Sequence, residues 1–100
     1  MIIPNDKYDE IRERGNKFFR EGKLHEAISE YKEGLKFSNS DREKLSVLYS
    51  NISACHLKLF NNEKVVKYST LALKFAPRST KALYRRAEAY EMQKKYQDAF

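Results

Sequence analysis

Two stretches of this chain decide its fold: Leu48-Tyr49-Ser50-Asn51-Ile52-Ser53-Ala54-Cys55 and Ala82-Leu83-Tyr84-Arg85-Arg86-Ala87-Glu88-Ala89, which match each other at a shift of 34 residues. Internal periods of this length are typical of arrays of short structural units. Further upstream, Gly15 and Ser53 correspond at a distance of 38 residues, one helical turn more than 34. The sequence therefore predicts about two and a half to three repeats, with about four extra residues between the first and the second.

The spacing of apolar residues is helical throughout, and no alternating strand pattern interrupts it. Glycine, proline, serine and asparagine separate the helical segments at Gly22, 38–40, 61–62 and Pro77. We therefore expect an all-α, helix-turn-helix fold in one domain, residues 1–100. Its repeats would span about 8–41, 46–79 and an incomplete 80–100, with the insertion at about 42–45.

The ends of the predicted helices carry recognisable capping residues. Ser40 or Asp41 is expected to cap the third helix, and Ser79 the fifth. A sixth helix is predicted to begin near Tyr96, shortly before the last residue given. We expect the chain to be a piece of a longer protein, because an incomplete repeat leaves apolar residues uncovered. Self-association through this end is the corresponding expectation.

Composition excludes several classes of protein. The chain has 20 Lys and Arg against 14 Asp and Glu, a net charge of +6 and a mean hydropathy of −0.80. No apolar run is long enough to form a membrane-spanning helix. Cys55 is the single cysteine, so neither a disulfide framework nor a thiolate metal cluster is possible. A reducing, intracellular location is the simplest interpretation.

The first repeat unit has a distinctive set of residue types at fixed places. A bulky residue, a small residue, an aromatic, a second small residue and a second aromatic are supplied by Ile11, Gly15, Phe18, Ala27 and Tyr31. With its 34-residue period, this pattern resembles the tetratricopeptide repeat. The resemblance covers nearly the whole chain from about Tyr8. It implies a right-handed superhelical array whose concave groove is lined by the first helix of each repeat, and a role in binding peptides or proteins.

Five polar residues lie on those first helices: Arg12, Asn16, Asn51, Lys81 and Arg85. Arg12 and Asn16 are four residues apart, as are Lys81 and Arg85, so each pair shares a helix face. The set resembles the dicarboxylate clamp of co-chaperone tetratricopeptide domains, with Arg12 in place of the usual lysine. The resemblance implies that the groove binds the C-terminal Glu-Glu-Val-Asp of heat-shock proteins 70 and 90.

The resemblance also implies which clamp residues bind which part of the peptide. Arg12, Asn16 and Asn51 would bind the main-chain carboxylate of the terminal aspartate, and Lys81 and Arg85 its side chain. The neighbouring groove-lining positions would be Phe19, Arg20, Ala54, Leu57, Lys58, Glu88 and Met92.

Two alternatives stay open at this point. Residues 50–55 and 63–70 resemble the clamp domain of a tetratricopeptide-type mitochondrial outer-membrane import receptor, so a cytosol-facing domain of such a receptor is one. The net positive charge favours nucleic-acid binding as the other. Against nucleic acid, acidic residues are interspersed along the chain and no long basic run exists.

An enzymatic function is not indicated. His25, His56 and Cys55 have no partners in the sequence that would make a nucleophile, a general base or a metal site. We therefore expect no catalytic residue, no metal and no cofactor, and a cytoplasmic binding domain.

Overall fold

The computed structural model describes residues 7–98, with side chains described as far as residue 95. It contains five helices: α1 (Lys7–Arg20), α2 (Leu24–Leu35), α3 (Arg42–Lys58), α4 (Asn62–Phe75) and α5 (Thr80–Asp98). No strand occurs within residues 7–98. Each helix packs against the next along the chain, and α3 also contacts α5. The predicted all-α fold is confirmed as a tetratricopeptide-like array of helix pairs.

The turns that separate the helices follow from local backbone chemistry. Gly22, between α1 and α2, has a φ of 77°, which glycine adopts without steric cost. Asp41 caps α3 by accepting a hydrogen bond from the Lys44 backbone N–H at 3.1 Å. The Ser79 side chain accepts one from the Ala82 N–H at 3.2 Å. Residues 42–45 form the first turn of α3.

The predicted sixth helix near Tyr96 is wrong, because α5 continues unbroken to Asp98. The turns after α1 and α3 each contain a residue with positive φ, Gly22 at 77° and Phe60 at 59°. A shift of 34 residues from Phe60 leads to Lys94. A turn would be expected there from the repeat pattern, but Lys94 lies inside α5. Residues 91–95 are all strong helix formers, without glycine, proline or asparagine, so nothing local ends the helix there. Residues 99 and 100, the end of the predicted incomplete third repeat, lie outside the described residues.

The core is built from the residues that face between neighbouring helices. Its fully buried members include Ile11, Ala27, Tyr31, Leu48, Ile52, Cys55, Val65, Ala72, Ala82 and Ala89. Gly15 lets α1 and α2 approach closely, since a Cβ there would lie 2.5 Å from Cε1 of Tyr31. The small residue of the first repeat unit therefore serves close packing between α1 and α2.

Two large exposed apolar side chains of α5 lie seven residues apart. Leu83 is 43% exposed and Tyr90 is 52% exposed. Self-association through this surface stays a prediction. No helix in residues 7–98 is both long enough and apolar enough to cross a membrane.

Candidate functional site

A small cavity of about 180 Å³ gathers side chains from four of the five helices. Its lining residues are Asn16 and Phe19 from α1, Tyr31 from α2, Asn51 and Ala54 from α3, and Lys81 and Arg85 from α5. Four of the five residues predicted to form the clamp therefore meet here. Positions up to 69 residues apart are brought together because the helices pack side by side.

Arg85 is held in place by α3. Its Nη1 donates to the Ser50 carbonyl oxygen at 3.0 Å and to Ser50 Oγ at 2.6 Å. Burial lowers the pKa of the Arg85 guanidinium, and nearby Glu88 partly offsets this, but arginine keeps its charge in proteins. A guanidinium has five N–H donors, and Nη1 accounts for two of them. The remaining three point to no acceptor among the described residues and are available to an anion.

Asn16 is oriented by Tyr31. The Tyr31 hydroxyl donates to Asn16 Oδ1 at 2.6 Å, and burial raises the pKa of Tyr31 to about 12, so the hydroxyl keeps its proton. The carboxamide oxygen of Asn16 accepts this hydrogen bond. The two N–H donors of the same amide therefore remain for a ligand. The sequence pattern identified Tyr31 as a packing residue and did not identify its hydrogen bond or that of Ser50.

The electrostatic character of the cavity is positive. Lys81 is exposed at its edge and Arg85 is half-buried inside it, while Asn51 adds an uncharged amide. No carboxylate is among the described residues that line it. Charge-assisted hydrogen bonds are about twice as strong as neutral ones, so the arrangement is suited to an acceptor-only group such as a carboxylate.

Arg12 lies one helical turn before Asn16 but does not line the cavity. Its Nη2 is 3.7 Å from Asp9 Oδ1 and 3.4 Å from Glu13 Oε1, and its guanidinium carbon lies 5.7 Å from the centre of the Tyr8 ring. Its Nε is buried and makes no hydrogen bond within the described part of the chain. The exposed ion pairs hold it weakly, since such pairs are worth about 0–1 kcal/mol.

The other residues predicted to line the groove lie on several different surfaces. Phe19 and Ala54 line the cavity, and Lys58 Nζ lies 5.4 Å from the centre of the Phe19 ring. A larger apolar cleft of about 510 Å³ is lined by Leu57, Glu88 and Met92, together with Phe60, Asn62, Tyr84, Ala87, Glu91 and Lys95. Arg20 lies elsewhere, in a depression on α1 with Asp9, Glu10, Glu13, Arg14 and Lys17.

The cysteine is not arranged for nucleophilic chemistry. Cys55 is buried, and burial raises the pKa of its thiol to about 11, partly opposed by Arg85. A thiol with a raised pKa is a poor nucleophile. Within residues 7–98, no group of three His, Cys, Asp or Glu could hold a metal ion.

Sequence comparison relates the chain to parts of larger proteins. No protein-family model matches it. It is 44% identical over 99 residues to mitochondrial import receptor subunit TOM34 of Homo sapiens, covering 95% of this chain and 32% of that protein. It is 40% identical over 95 residues to mitochondrial import receptor subunit TOM70 of Saccharomyces cerevisiae, covering 94% of this chain and 15% of that protein.

A third relative is not named as an import receptor subunit. Protein unc-45 homolog B of Danio rerio is 37% identical over 92 residues, which is 91% of this chain and 10% of that protein. The chain thus spans about a third or less of the length of these relatives.

Proposed function

We propose that this tetratricopeptide-type domain binds the free C-terminal end of an acidic peptide, of the Glu-Glu-Val-Asp type carried by heat-shock proteins 70 and 90. It would thereby recruit a molecular chaperone. The observation that carries the proposal is the meeting of Asn16, Asn51, Lys81 and Arg85 around one cavity, with donors and positive charge but no carboxylate.

A terminal aspartate matches this set of donors chemically. It carries two carboxylates, each an acceptor-only group with about four lone-pair sites. The three N–H groups of Arg85 that Ser50 leaves unused can bind one carboxylate in the two-pronged geometry that guanidinium groups favour. The two amides of Asn16 and Asn51 add directional bonds without adding repulsion between cations.

Arg12 would join the clamp by leaving its own helix partners. Its contacts to Asp9 and Glu13 are exposed and weak, so a carboxylate beside Asn16 competes with them. A turn of the Arg12 side chain toward Asn16, one helical turn away, would bring its charge to the edge of the cavity. The variant Arg12→Ala measures how much this residue contributes.

The apolar residues beside the clamp would bind the part of the peptide that precedes the aspartate. Phe19 and Ala54 line the cavity together with the charged groups. Leu57 lies three residues after Ala54 on α3 and lines the larger cleft. A valine next to the terminal residue would find apolar contact there. We propose that the domain binds and positions its partner and catalyses no reaction.

Calorimetric titration with a Glu-Glu-Val-Asp peptide tests the proposal. A roughly micromolar dissociation constant is expected for a short peptide that must be ordered on binding. Amidation of the peptide terminus removes one carboxylate and is expected to abolish measurable binding. A nucleic-acid-binding domain would not respond to that terminus, so equal binding of both peptides, or of neither, would overturn the proposal.

Lys81→Ala is the most direct variant, because Lys81 is exposed and its loss leaves the Arg85–Ser50 bonds intact. Loss of a hydrogen bond to a charged group costs about 1.5–3 kcal/mol, which corresponds to about tenfold to a hundredfold weaker binding. Lys36→Ala is the matched control, since Lys36 is an exposed lysine paired with Glu33. Equal affinities for the two variants would contradict the clamp.

A second candidate function is that of a cytosol-facing domain in a mitochondrial import receptor. The similarity to import receptor subunits TOM34 and TOM70 favours it. Cell fractionation of the full-length protein tests it: recovery with the mitochondrial outer membrane supports the candidate, and recovery only in the soluble fraction opposes it. Peptide binding by the clamp is compatible with either outcome, so the two experiments address separate questions.

A further inference from the structure

A second basic surface lies away from the clamp, where α2, the end of α3 and the start of α4 meet. We call it the basic cleft; its lining residues are His25, Ile28, Lys32, His56, Leu59, Asn61 and Lys64, and its volume is about 380 Å³. Among these residues are two lysines and two histidines, and none carries a carboxylate. The cleft shares no residue with the clamp cavity.

The most buried polar side chain that lines the cleft is His56. It is only 6% exposed, and its ring stacks on Tyr68 with centroids 5.5 Å apart and planes 8° apart. Both ring nitrogens are buried, and neither has a hydrogen-bond partner within the described part of the chain. A neutral imidazole carries one N–H donor. Buried donors are normally paired, so a ring N–H without a protein acceptor is chemically suited to an acceptor oxygen from outside the chain.

The other titratable residues that line the cleft beside His56 are all basic. Lys32 and His25 face it from α2, and Lys64 from α4. Burial lowers the pKa of His56, and these three groups lower it further. Neither lysine forms an ion pair with an acid in residues 7–95. The nearest acid in the α4 first turn, Glu63, is exposed and does not line the cleft.

Backbone groups add to the positive potential. Asn61 is the N-cap of α4 and lines the cleft, with its side chain accepting from the Lys64 N–H at 3.5 Å. The N-terminus of a helix carries a partial positive charge and has N–H groups without helical acceptors. His25 lies in the first turn of α2, so a second helix N-terminus is close by. Helix N-termini and lysines together favour anions.

We propose that the basic cleft binds a phosphate-type oxyanion, held by the ammonium groups of Lys32 and Lys64 and by a ring N–H of His56. A tetrahedral oxyanion has oxygens in several directions and can accept from all three helices at once. A metal cation is excluded by the two lysines, which would repel it. The anion would either be free inorganic phosphate or the phosphate group of a monoester such as phosphoserine.

The test uses nuclear magnetic resonance of the histidine ring protons during titration with sulfate, which keeps its double charge as the pH changes. The protein carries Lys81→Ala and Arg85→Ala, so that the clamp cations do not contribute. We expect a saturable shift of the His56 signal, and a rise in the pKa of His56 when sulfate is bound, because a bound anion stabilises the charged ring. Chloride at equal ionic strength should produce no saturable shift.

Two lysine variants complete the test. Lys32→Ala with Lys64→Ala should weaken sulfate binding by at least about tenfold, since two charge-assisted contacts are lost. Lys36→Ala is the control, because Lys36 lies outside the cleft. Both cleft lysines are exposed, so their loss leaves the core intact, which circular dichroism can verify. A His56 shift that is linear in sulfate, or equal affinities in the cleft and control variants, would overturn the proposal.

Inorganic phosphate and O-phosphoserine then distinguish the two sources of the oxyanion. Equal affinity for both indicates that the cleft accepts a phosphate monoester, with room for the rest of the ligand outside it. Binding of phosphate alone indicates a site for the free ion. If neither inorganic phosphate nor O-phosphoserine binds, and sulfate causes no saturable shift of the His56 signal, the proposed site is refuted.

Discussion

The substitution Gly15→Ala tests the helix packing that positions Asn16, a residue of the proposed clamp. A Cβ at this position would lie 2.5 Å from Cε1, 2.7 Å from Cδ1 and 3.1 Å from Cζ of Tyr31. Tyr31 is a rigid ring, only 2% exposed, so it has little space into which to move. Since Tyr31 also donates to Asn16 Oδ1, any displacement of its ring disturbs the amide that faces the cavity.

Two opposing effects set the change in the free energy of unfolding that Gly15→Ala causes. Replacing glycine by alanine inside a helix is favourable by about 0.8–1.0 kcal/mol. Overpacking a well-packed core costs about 1–3 kcal/mol, and contacts this short with a buried ring place the cost at the upper end. The net expectation is a loss of about 1–2 kcal/mol, or a fall of about 4–16 °C in melting temperature for a domain of this size.

Gly34→Ala is the matched control in the same core. Its Cβ would meet the terminal Cδ1 of Leu48 at 3.1 Å, a methyl group that can move by a few tenths of an ångström. We expect its melting temperature to stay within about 4 °C of the parent, because helix propensity and mild crowding nearly cancel.

Thermal unfolding followed by circular dichroism measures both variants, and peptide titration measures the effect on Asn16. Gly15→Ala should also bind the Glu-Glu-Val-Asp peptide more weakly than Gly34→Ala does. A Gly15→Ala variant as stable as Gly34→Ala would refute the packing argument. Unchanged peptide affinity in a destabilised Gly15→Ala variant would refute the link from Tyr31 to Asn16.

Four further predictions follow from single observations. Phe60 has a φ of 59° and is 74% exposed, so Phe60→Gly should raise the free energy of unfolding by about 1 kcal/mol, whereas Phe60→Ala, which keeps the strained backbone, should not. Because burial raises the pKa of Cys55 to about 11, its thiol should react with a disulfide reagent far more slowly in the folded chain than in denaturant; equal rates would contradict its burial. Because burial and nearby cations lower the pKa of His56 below its ordinary value of 6.5, the unfolded chain takes up a proton more readily, and stability should fall as the pH drops below about 6.5; His56→Phe, which keeps the stacked ring, should reduce that fall in chemical denaturation at two pH values. Leu83 and Tyr90 are exposed on α5, so the chain should associate in sedimentation experiments and Tyr90→Glu should weaken the association; an unchanged monomer at high concentration would count against it.

The architecture of repeated helix pairs is predictable from the sequence. Residues 48–55 and 82–89 match at a shift of 34 residues, and this period together with helical apolar spacing is typical of a helix-turn-helix array. Helical spacing, the Asp41 and Ser79 caps and the small residue at Gly15 are local or periodic signals, and the structure agrees with each of them. The sequence also predicts the donor types of the proposed clamp, because charged and amide side chains recur on the first helix of each repeat.

The contacts of those residues depend on how the helices pack together. The Tyr31–Asn16 and Arg85–Ser50 hydrogen bonds join different helices, and no spacing rule predicts a contact 15 or 35 residues away. The structure also places Arg12 outside the cavity, since its guanidinium contacts acids of its own helix.

At Lys94 two signals in the sequence disagree: the repeat pattern predicts a turn, but local helix propensity favours a helix, and α5 continues to Asp98. The basic cleft, in contrast, depends on how the helices pack. His25 and His56 are 31 residues apart in the chain and meet only because α2 packs on α3. Sequence periodicity determines which residues face a neighbouring helix; the packing of the helices determines which side chains then meet.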